Sequence, residues 1–247
     1  MSRLFDHLRR LTGPLRSETP FVGAAATLLT GSIGAQALVY LARPALTRIY
    51  PPEVFGLLTV FVALSALIGT VSTGRYVDAL LLPEKRADAV SVGVLATLLC
   101  LGVSLGTVPV GLVGDPIARW FGEPQLGPWL LLLPAAVLGT GLHQIGETWY
   151  TRTEDYGRIS RFRLARSGLT VGIQLVGGLL GGAAGTLLGG YLGGYVGTGT
   201  GLLLVFGWEA RDQLARAVSV RALARSARRY GRFLRYSTPA ALLNNLG

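Results

Sequence analysis

The stretch Phe21–Gly56, FVGAAATLLTGSIGAQALVYLARPALTRIYPPEVFG, decides the fold. Its first part, residues 21–42, is uncharged and apolar, and about 20 such residues are enough for a helix to cross a bilayer. Gln36 lies inside this run, and Arg43 and Arg48 follow it. A buried amide and a guanidinium are costly against lipid. We therefore expect this helix to line a wet, cationic cavity that the later spans enclose.

The composition is that of a membrane protein. Hydrophobic residues make up 50% of the chain and charged residues 15%, and the mean hydropathy is +0.48. A soluble domain usually has about a quarter of its residues charged. The single Cys100 excludes an internal disulfide framework, and His7 and His143 lack metal-ligand spacing. With no catalytic set, no metal site and no cofactor motif in the sequence, we expect a protein that is not an enzyme.

The hydropathy pattern predicts an all-α membrane protein with six complete spans and the start of a seventh. The apolar stretch 167–207 is too long for one crossing, so a break near 181–185 (GGAAG) should divide it into spans five and six. The second, third and fourth spans are expected at residues 54–72, 89–113 and 129–149.

Four domains follow from this pattern. They are a basic cytoplasmic N-terminal segment (1–20), a six-helix transmembrane bundle (21–207), a basic amphipathic cytoplasmic connector (208–236) and the truncated start of a second bundle (237–247).

The distribution of basic residues predicts the orientation. If the N-terminus is cytoplasmic, 20 of the 23 basic residues fall in inner segments, and only Arg43, Arg48 and Arg119 fall outside. This matches the positive-inside rule. It also accounts for the net charge of +10 without a nucleic-acid partner.

Three groups of polar residues are candidates for a substrate site, and each has a plainer alternative. Arg43 and Arg48 suit an anion site, because guanidinium groups bind phosphate oxygens, but an arginine at a span end also snorkels to the interface. Arg75 and Asp78 are either a local ion pair or a gate. The group His143, Gln144 and Glu147 shares one helix face, where Glu147 is either a proton or cation site or simply solvated. The predicted substrate-binding residues are Gln36, Arg43, Arg48, Arg75, Asp78, Gln144 and Glu147.

Glycines recur at every fourth position from Gly177 to Gly201. Small residues at this spacing let helix backbones approach closely in a membrane. We interpret the pattern as tight packing of the hairpin formed by spans five and six, in preference to a pore.

The chain resembles bacterial polysaccharide-biosynthesis flippases of the Wzx O-antigen type, in the multidrug/oligosaccharidyl-lipid/polysaccharide exporter superfamily. The similarity extends over nearly the whole chain from about Ser17. The motifs that carry it are LTRIY (46–50), PE (52–53), FG (55–56), TGRY (73–76) and LP (82–83), together with the closing stretch YSTPAALLNNL (236–246).

This resemblance implies a two-lobe fold similar to that of multidrug exporters, of which this chain would be the N-terminal lobe. It implies transport of an undecaprenyl-diphosphate-linked oligosaccharide to the outer leaflet by alternating access, without a cofactor. The implied partners are that lipid-linked glycan, membrane lipids, a missing C-terminal bundle or a second copy, and glycan polymerase machinery. The implied location is the bacterial inner membrane.

Two other functions stay open. A cation-coupled multidrug exporter of the same superfamily would need acidic residues deep in the bundle, whereas Asp78 and Glu147 are expected near its inner ends. A membrane enzyme of glycan assembly usually has a large outer loop, whereas the longest one here, about 114–128, is short.

Overall fold

The computed structural model describes residues 20–232, without the side chains at 20–22, 215, 216, 220 and 232. The predicted N-terminal segment, except Pro20, and the start of a seventh span lie outside these residues. The described part is all helical and contains no strand. Its elements are α1 Pro20–Ile49, α2 Pro52–Ser72, α3 Tyr76–Ala79, α4 Arg86–Gly106, α5 Val108–Leu112, α6 Gly114–Trp120, a 3₁₀ helix Pro124–Leu132, α7 Leu133–Arg152, α8 Tyr156–Leu179, α9 Ala184–Ala217 and α10 Val220–Arg232.

Within this part, four helical stretches are long and apolar enough to cross a membrane, and they coincide with the first four predicted spans. They are Gly23–Ile49, Pro52–Ser72, Arg86–Leu112 and Pro124–Arg152. The fifth and sixth predicted spans fall on α8 and α9, which have 24 and 34 residues. Both are long enough to cross, but arginines in the first half of α8 and glycines in α9 lower their hydropathy.

The turn between α8 and α9 lies where the sequence predicts it. α8 ends at Leu179 and α9 begins at Ala184. Gly181 has a φ of +83°, a left-handed conformation that a residue with a Cβ adopts only at a cost. The GGAAG segment therefore ends one helix and reverses the chain.

The bundle is organised around α7 and α9. α9 packs along both α7 and α8, α2 and α4 pack against α7, and α1 packs against α8. Trp149 on α7 is fully buried against Phe206 on α9, with ring centroids 4.6 Å apart. α1 is the least enclosed of these helices, since Leu41 is 80% exposed and Ile33 is 65% exposed.

Glycines permit the close contact between α7 and α9. A Cβ at Gly199 on α9 would lie 2.7 Å from the carbonyl oxygen of Gly139 on α7, and a Cβ at Gly139 would lie 2.8 Å from the nitrogen of Val196. Because both contacts are with backbone atoms, an added Cβ would force α7 and α9 apart. Gly199 lies outside the glycines that repeat every fourth residue. The packing predicted for the hairpin is seen between α9 and α8, where a Cβ at Gly190, beside the repeat, would lie 2.7 Å from the carbonyl oxygen of Thr170, and one at Gly201 would lie 3.2 Å from the Phe162 ring.

The end of α1 is fixed by Tyr50, the last residue of the LTRIY motif. Its side chain is 2% exposed. The hydroxyl lies 2.6 Å from the carbonyl oxygen of Gln174 on α8 and 2.7 Å from Oγ1 of Thr186 on α9. This part of the motif therefore joins three helices.

The connector predicted at 208–236 begins inside a helix. α9 continues to Ala217, and a separate helix, α10, follows from Val220. α10 packs against α4, so its buried side faces protein. The last residues of the predicted connector, 233–236, lie outside the described part.

Candidate functional site

A cavity of about 760 Å³ lies on one side of the bundle, between α1, α2, α7, α8 and α9. Its wall is more polar than that of a lipid-facing surface. The polar and aromatic side chains that line it are Ser32, Gln36, Tyr40 and Arg43 from α1, Thr70 from α2, Thr140, His143, Gln144 and Glu147 from α7, Arg163, Arg166, Ser167 and Thr170 from α8, and Tyr191 and Tyr195 from α9.

The α1 wall of the cavity is a polar stripe on an otherwise apolar helix. Ser32, Gln36, Tyr40 and Arg43 recur at three- and four-residue spacing, which places them on one face. Gln36 and Arg43 are exposed in this cavity wall. The guanidinium of Arg43 lies over the Tyr40 ring, 5.2 Å from its centroid, so the aromatic face helps to hold the cation.

Glu147 is the only carboxylate on the described wall of the cavity, and it is paired with Arg163. Nε of Arg163 donates to Oε1 of Glu147 over 2.7 Å, and Nη2 lies 3.4 Å from Oε2. Nη1 of Arg163 also donates to the hydroxyl of Ser32 over 2.7 Å. One guanidinium therefore links α8 to α7 and to α1.

His143 lies one turn before Glu147 and is 5% exposed. Its Nε2 is 3.4 Å from Oε1 of Glu147, and its Nδ1 is 3.3 Å from Oγ1 of Thr198. Because Glu147 already accepts from Arg163, the imidazole is a second donor to this carboxylate when Nε2 carries a proton.

Arg166 is a cation without a carboxylate partner in the described part of the chain. Nη1 of Arg166 donates to the Tyr195 hydroxyl over 2.5 Å, and the guanidinium lies 4.6 Å from the centroid of the Tyr195 ring. Its Nε is buried and has no hydrogen-bond partner among the described residues. A buried guanidinium N–H without an acceptor is costly. Because Arg166 lines the cavity, an anion there is a strong acceptor for the accessible N–H groups of its guanidinium.

The charges on the described wall do not balance. Arg43, Arg163 and Arg166 face one carboxylate, Glu147. Where water is limited, the field of uncompensated guanidinium groups is screened less than it is in bulk solvent. The cavity therefore attracts anions.

The structure brings four of the seven predicted site residues to this cavity. They are Gln36, Arg43, Gln144 and Glu147. Their role in substrate binding stays a prediction.

The other three predicted residues do not line the cavity. Arg48 is exposed in the last turn of α1. Arg75 pairs with Asp78, with Nη2 2.8 Å from Oδ2, beyond the end of α2. That pair is the local ion pair that the sequence analysis offered as its plainer alternative, and its side chains are 30% and 39% exposed.

Sequence reasoning missed Arg163 and Arg166, because it assigned them to an inner basic loop. α8 already begins at Tyr156, so both lie inside the helix. A signal was present: Arg163, Arg166 and Thr170 recur at the spacing of one helix face. The count of inner-loop arginines was too high for the same reason.

The aromatic side of the cavity was also missed. Tyr191 and Tyr195 on α9 are one turn apart, with ring centroids 4.9 Å apart. They lie within the glycine-rich segment, where the sequence analysis considered only packing. Among the described residues, no group of three or more His, Cys, Asp or Glu side chains could hold a metal ion.

The family of polysaccharide biosynthesis proteins matches residues 45–228 of this chain. The chain belongs to that family. The match confirms the resemblance found in the sequence, and it includes the α7, α8 and α9 walls of the cavity but begins after Gln36 and Arg43. Comparison with curated proteins and with solved structures gave no match. Together with the four apolar spans, the family indicates a multi-pass membrane protein with a role in polysaccharide biosynthesis or export.

Proposed function

We propose that this protein is a flippase that moves an undecaprenyl-diphosphate-linked oligosaccharide, an O-antigen or other polysaccharide repeat unit, from the inner to the outer leaflet by alternating access. The observation that carries the proposal is the unbalanced charge of the cavity, three arginines against one carboxylate. A diphosphate linkage supplies the missing negative charge. The family supports a glycan as the cargo.

Arg166 is the first contact that we assign to the diphosphate. Its guanidinium is held by Tyr195 and forms no ion pair within residues 20–232, so no internal partner has to leave. Guanidinium groups bind phosphate oxygens through paired N–H donors. Arg43, on the neighbouring α1 wall, is a second cation for the same group.

Arg163 joins the site by exchanging partners. In the structure Arg163 binds Glu147 and Ser32. An entering phosphate competes with Glu147 for the same guanidinium, and His143 Nε2, 3.4 Å from Oε1, then donates to the carboxylate when it carries a proton. Substrate binding thereby loosens the link between α7 and α8, which is the kind of change that alternating access requires.

The uncharged part of the wall suits the sugars. Gln36 and Gln144 offer amide donors and acceptors, and Tyr40 and Tyr191 offer aromatic faces with hydroxyl groups. Sugar hydroxyls need hydrogen-bond partners, and their apolar ring faces pack on aromatic rings. The wall contains both.

We propose six spans, α8 and α9 included, in one lobe of a two-lobe transporter in the bacterial inner membrane with a cytoplasmic N-terminus. The exposed α1 side of the cavity would face a C-terminal bundle or a second copy of the chain. Glycan polymerase machinery is a proposed partner. We propose transport without a cofactor and without catalysis.

Proteoliposomes that contain a fluorescent polyprenyl-diphosphate glycan test this function. The protein is expected to bind the lipid and to expose its glycan to an external quencher, and the double variant R163Q/R166Q is expected to lose both activities. The matched control is R48Q/R119Q, which removes two exposed arginines away from the cavity. Binding that is equally strong in both double variants would exclude the cavity as the diphosphate site.

One observation favours the cation-coupled multidrug exporter as a second candidate. Glu147 lies on the cavity wall, where such an exporter would bind its coupling cation. Its pairing with Arg163 counts against this reading, because the carboxylate is already neutralised. Resistance to cationic drugs on overexpression, abolished in E147Q, would support the exporter over the flippase.

A further inference from the structure

The helix α10, Val220–Arg232, carries a row of arginines with no acidic neighbour. Its exposed side presents Arg221, Arg225, Arg228 and Arg229, at spacings of three and four residues. Residues 213–247 contain seven arginines and no Asp or Glu. Like charges at four-residue spacing destabilise a helix. This helix therefore gains stability from any anion that binds along the row.

The opposite side of α10 is fixed to the protein. Ser226 and Tyr230 are buried, and the Tyr76 hydroxyl donates to the carbonyl oxygen of Ala227 over 3.3 Å. A 13-residue helix is marginal on its own, so its docking against α4 holds it in place. The arginine row is therefore a pre-ordered surface, and ligand binding does not have to order the helix.

The four guanidinium groups border a shallow open groove of about 580 Å³. Within residues 20–232, none of the four lies within ion-pair distance of a carboxylate oxygen. Arg229 lies over the Tyr230 ring, 5.5 Å from its centroid, which steadies one end of the row. The groove is thus lined by cations whose partners come from outside the described chain.

The position of α10 along the bundle axis indicates which anions can reach the arginine row. Tyr76, which contacts α10, is four residues beyond the end of α2 at Ser72. The helix therefore lies level with the end of a membrane-spanning helix, where lipid headgroups are found. Trp208, which is 71% exposed with Arg211 stacked on it, lies towards the same end of α9, as expected at a membrane interface.

We propose that the arginine row of α10 binds the phosphates of anionic phospholipid headgroups and so anchors this end of the bundle to the membrane surface. The contact differs from insertion of an amphipathic helix, because the buried face of α10 is already covered by α4. It is also separate from the cavity, and it holds whether or not the protein moves a lipid-linked glycan. Arg225 and Arg229, one turn apart, form the centre of the site.

Native mass spectrometry of the purified chain in a neutral detergent, titrated with phosphatidylglycerol or phosphatidylcholine, tests the proposal. The wild type is expected to bind phosphatidylglycerol at least tenfold more tightly. The double variant R225Q/R229Q should weaken that binding about thirtyfold, since each arginine near an anionic surface contributes several-fold in affinity. R48Q/R119Q, which removes two exposed arginines outside the row, should stay within about twofold of wild type.

Two further variants control for charge and for misfolding. R225K/R229K preserves the charge and should retain phosphatidylglycerol binding, whereas R221Q/R228Q should weaken it and serves in place of R225Q/R229Q if that protein does not fold. Equal binding by R225Q/R229Q and wild type, or no preference for the anionic lipid, would refute the assignment. If millimolar inorganic phosphate displaces the lipid fully, the row is a site for free anions, and the lipid assignment is wrong.

Discussion

Arg163 on α8 and Glu147 on α7 form an ion pair on the cavity wall, with Nε 2.7 Å from Oε1, while the same guanidinium donates to Ser32 on α1. The Arg163 side chain therefore joins three helices, and Glu147 is the only carboxylate on the described wall of the cavity. The ion pair has two separable roles: it stabilises the bundle, and it sets the charge that a substrate meets.

The stabilising role predicts that R163Q lowers the free energy of unfolding. The side chains are 30% and 24% exposed, so we expect a loss of about 1–3 kcal/mol, less than the ~3–5 kcal/mol of a fully buried pair. The double variant E147Q/R163Q should recover at least half of it, because no unpaired charge is left. Thermal unfolding in detergent measures both. Equal losses in the single and double variants would mean that the pair is not what stabilises this contact.

Because the Glu147 carboxylate competes with anions for Arg163, we expect the variant E147Q to bind diphosphates more tightly. Without the competing carboxylate, Arg163 is free for phosphate, and we expect about a tenfold gain in affinity, or ~1.4 kcal/mol. Calorimetric titration with farnesyl diphosphate gives the dissociation constant. D78N is the matched control, since it removes a carboxylate outside the cavity. A gain of the same size in D78N would assign the effect to net charge and not to the cavity.

The contact between α7 and α9 predicts a position-specific effect of adding one methyl group. G199A would place a Cβ 2.7 Å from the Gly139 carbonyl oxygen, so the helices must separate, at a cost of about 1–3 kcal/mol. G189A, on the same helix, meets no atom within 4 Å. It should be neutral or stabilising by up to ~1 kcal/mol, because alanine favours helix over glycine. Unfolding temperatures that rank the two variants in the opposite order would contradict the packing.

The hydrogen bonds of Tyr50 are expected to stabilise the end of α1. Y50F removes the hydroxyl that lies within hydrogen-bond distance of Gln174 and Thr186, so we expect a loss of about 1 kcal/mol in stability. Y40F, at a ring 61% exposed, should change stability by less than about 0.5 kcal/mol. Hydrogen exchange should also show faster opening at the end of α1 in Y50F only.

Arg75, just after α2, and Arg152, at the end of α7, should differ in how much they contribute to stability. Arg152 donates to the carbonyl oxygens of Leu80 and Leu81, over 3.2 Å each, and to that of Pro83, so R152Q should cost about 1–3 kcal/mol. Arg75 forms one partly exposed ion pair, and R75Q should cost less than about 1 kcal/mol. Chemical unfolding of the two variants compares them directly. A larger loss in R75Q would revive the gate that the sequence analysis considered.

The sequence predicted the helical class, the first four spans and the turn before α9, because long apolar runs and glycine turns are local signals. It also predicted part of the site: Gln36 and Glu147 stand out as polar residues within apolar runs. Arg163 and Arg166 could not be assigned from hydropathy. An arginine in a loop and an arginine in a helix facing a cavity have the same hydropathy, and only the packing of α8 against α1 and α7 separates them.

The sequence also does not show where helices end within the connector predicted at 208–236. Charged residues from 209 onward resemble a loop or an interfacial helix, but helix propensity carries α9 on to Ala217. The covering of α10 by α4 depends on contacts between segments more than 100 residues apart, such as Tyr76 with Ala227. No local pattern contains that information.

The short link between α7 and α8 has a consequence for how the protein enters the membrane. Glu147 and Arg163 are 16 residues apart, on consecutive helices joined by residues 153–155. In the six-span lobe that we propose, a nascent hairpin of these helices would bring Glu147 and Arg163 into the bilayer together, which would lower the cost of inserting either charge. Arg166 meets Tyr195 only after a further 29 residues. In that proposal the Glu147–Arg163 pair would form first, within the hairpin, and Arg166 would gain its Tyr195 contact only when α9 follows.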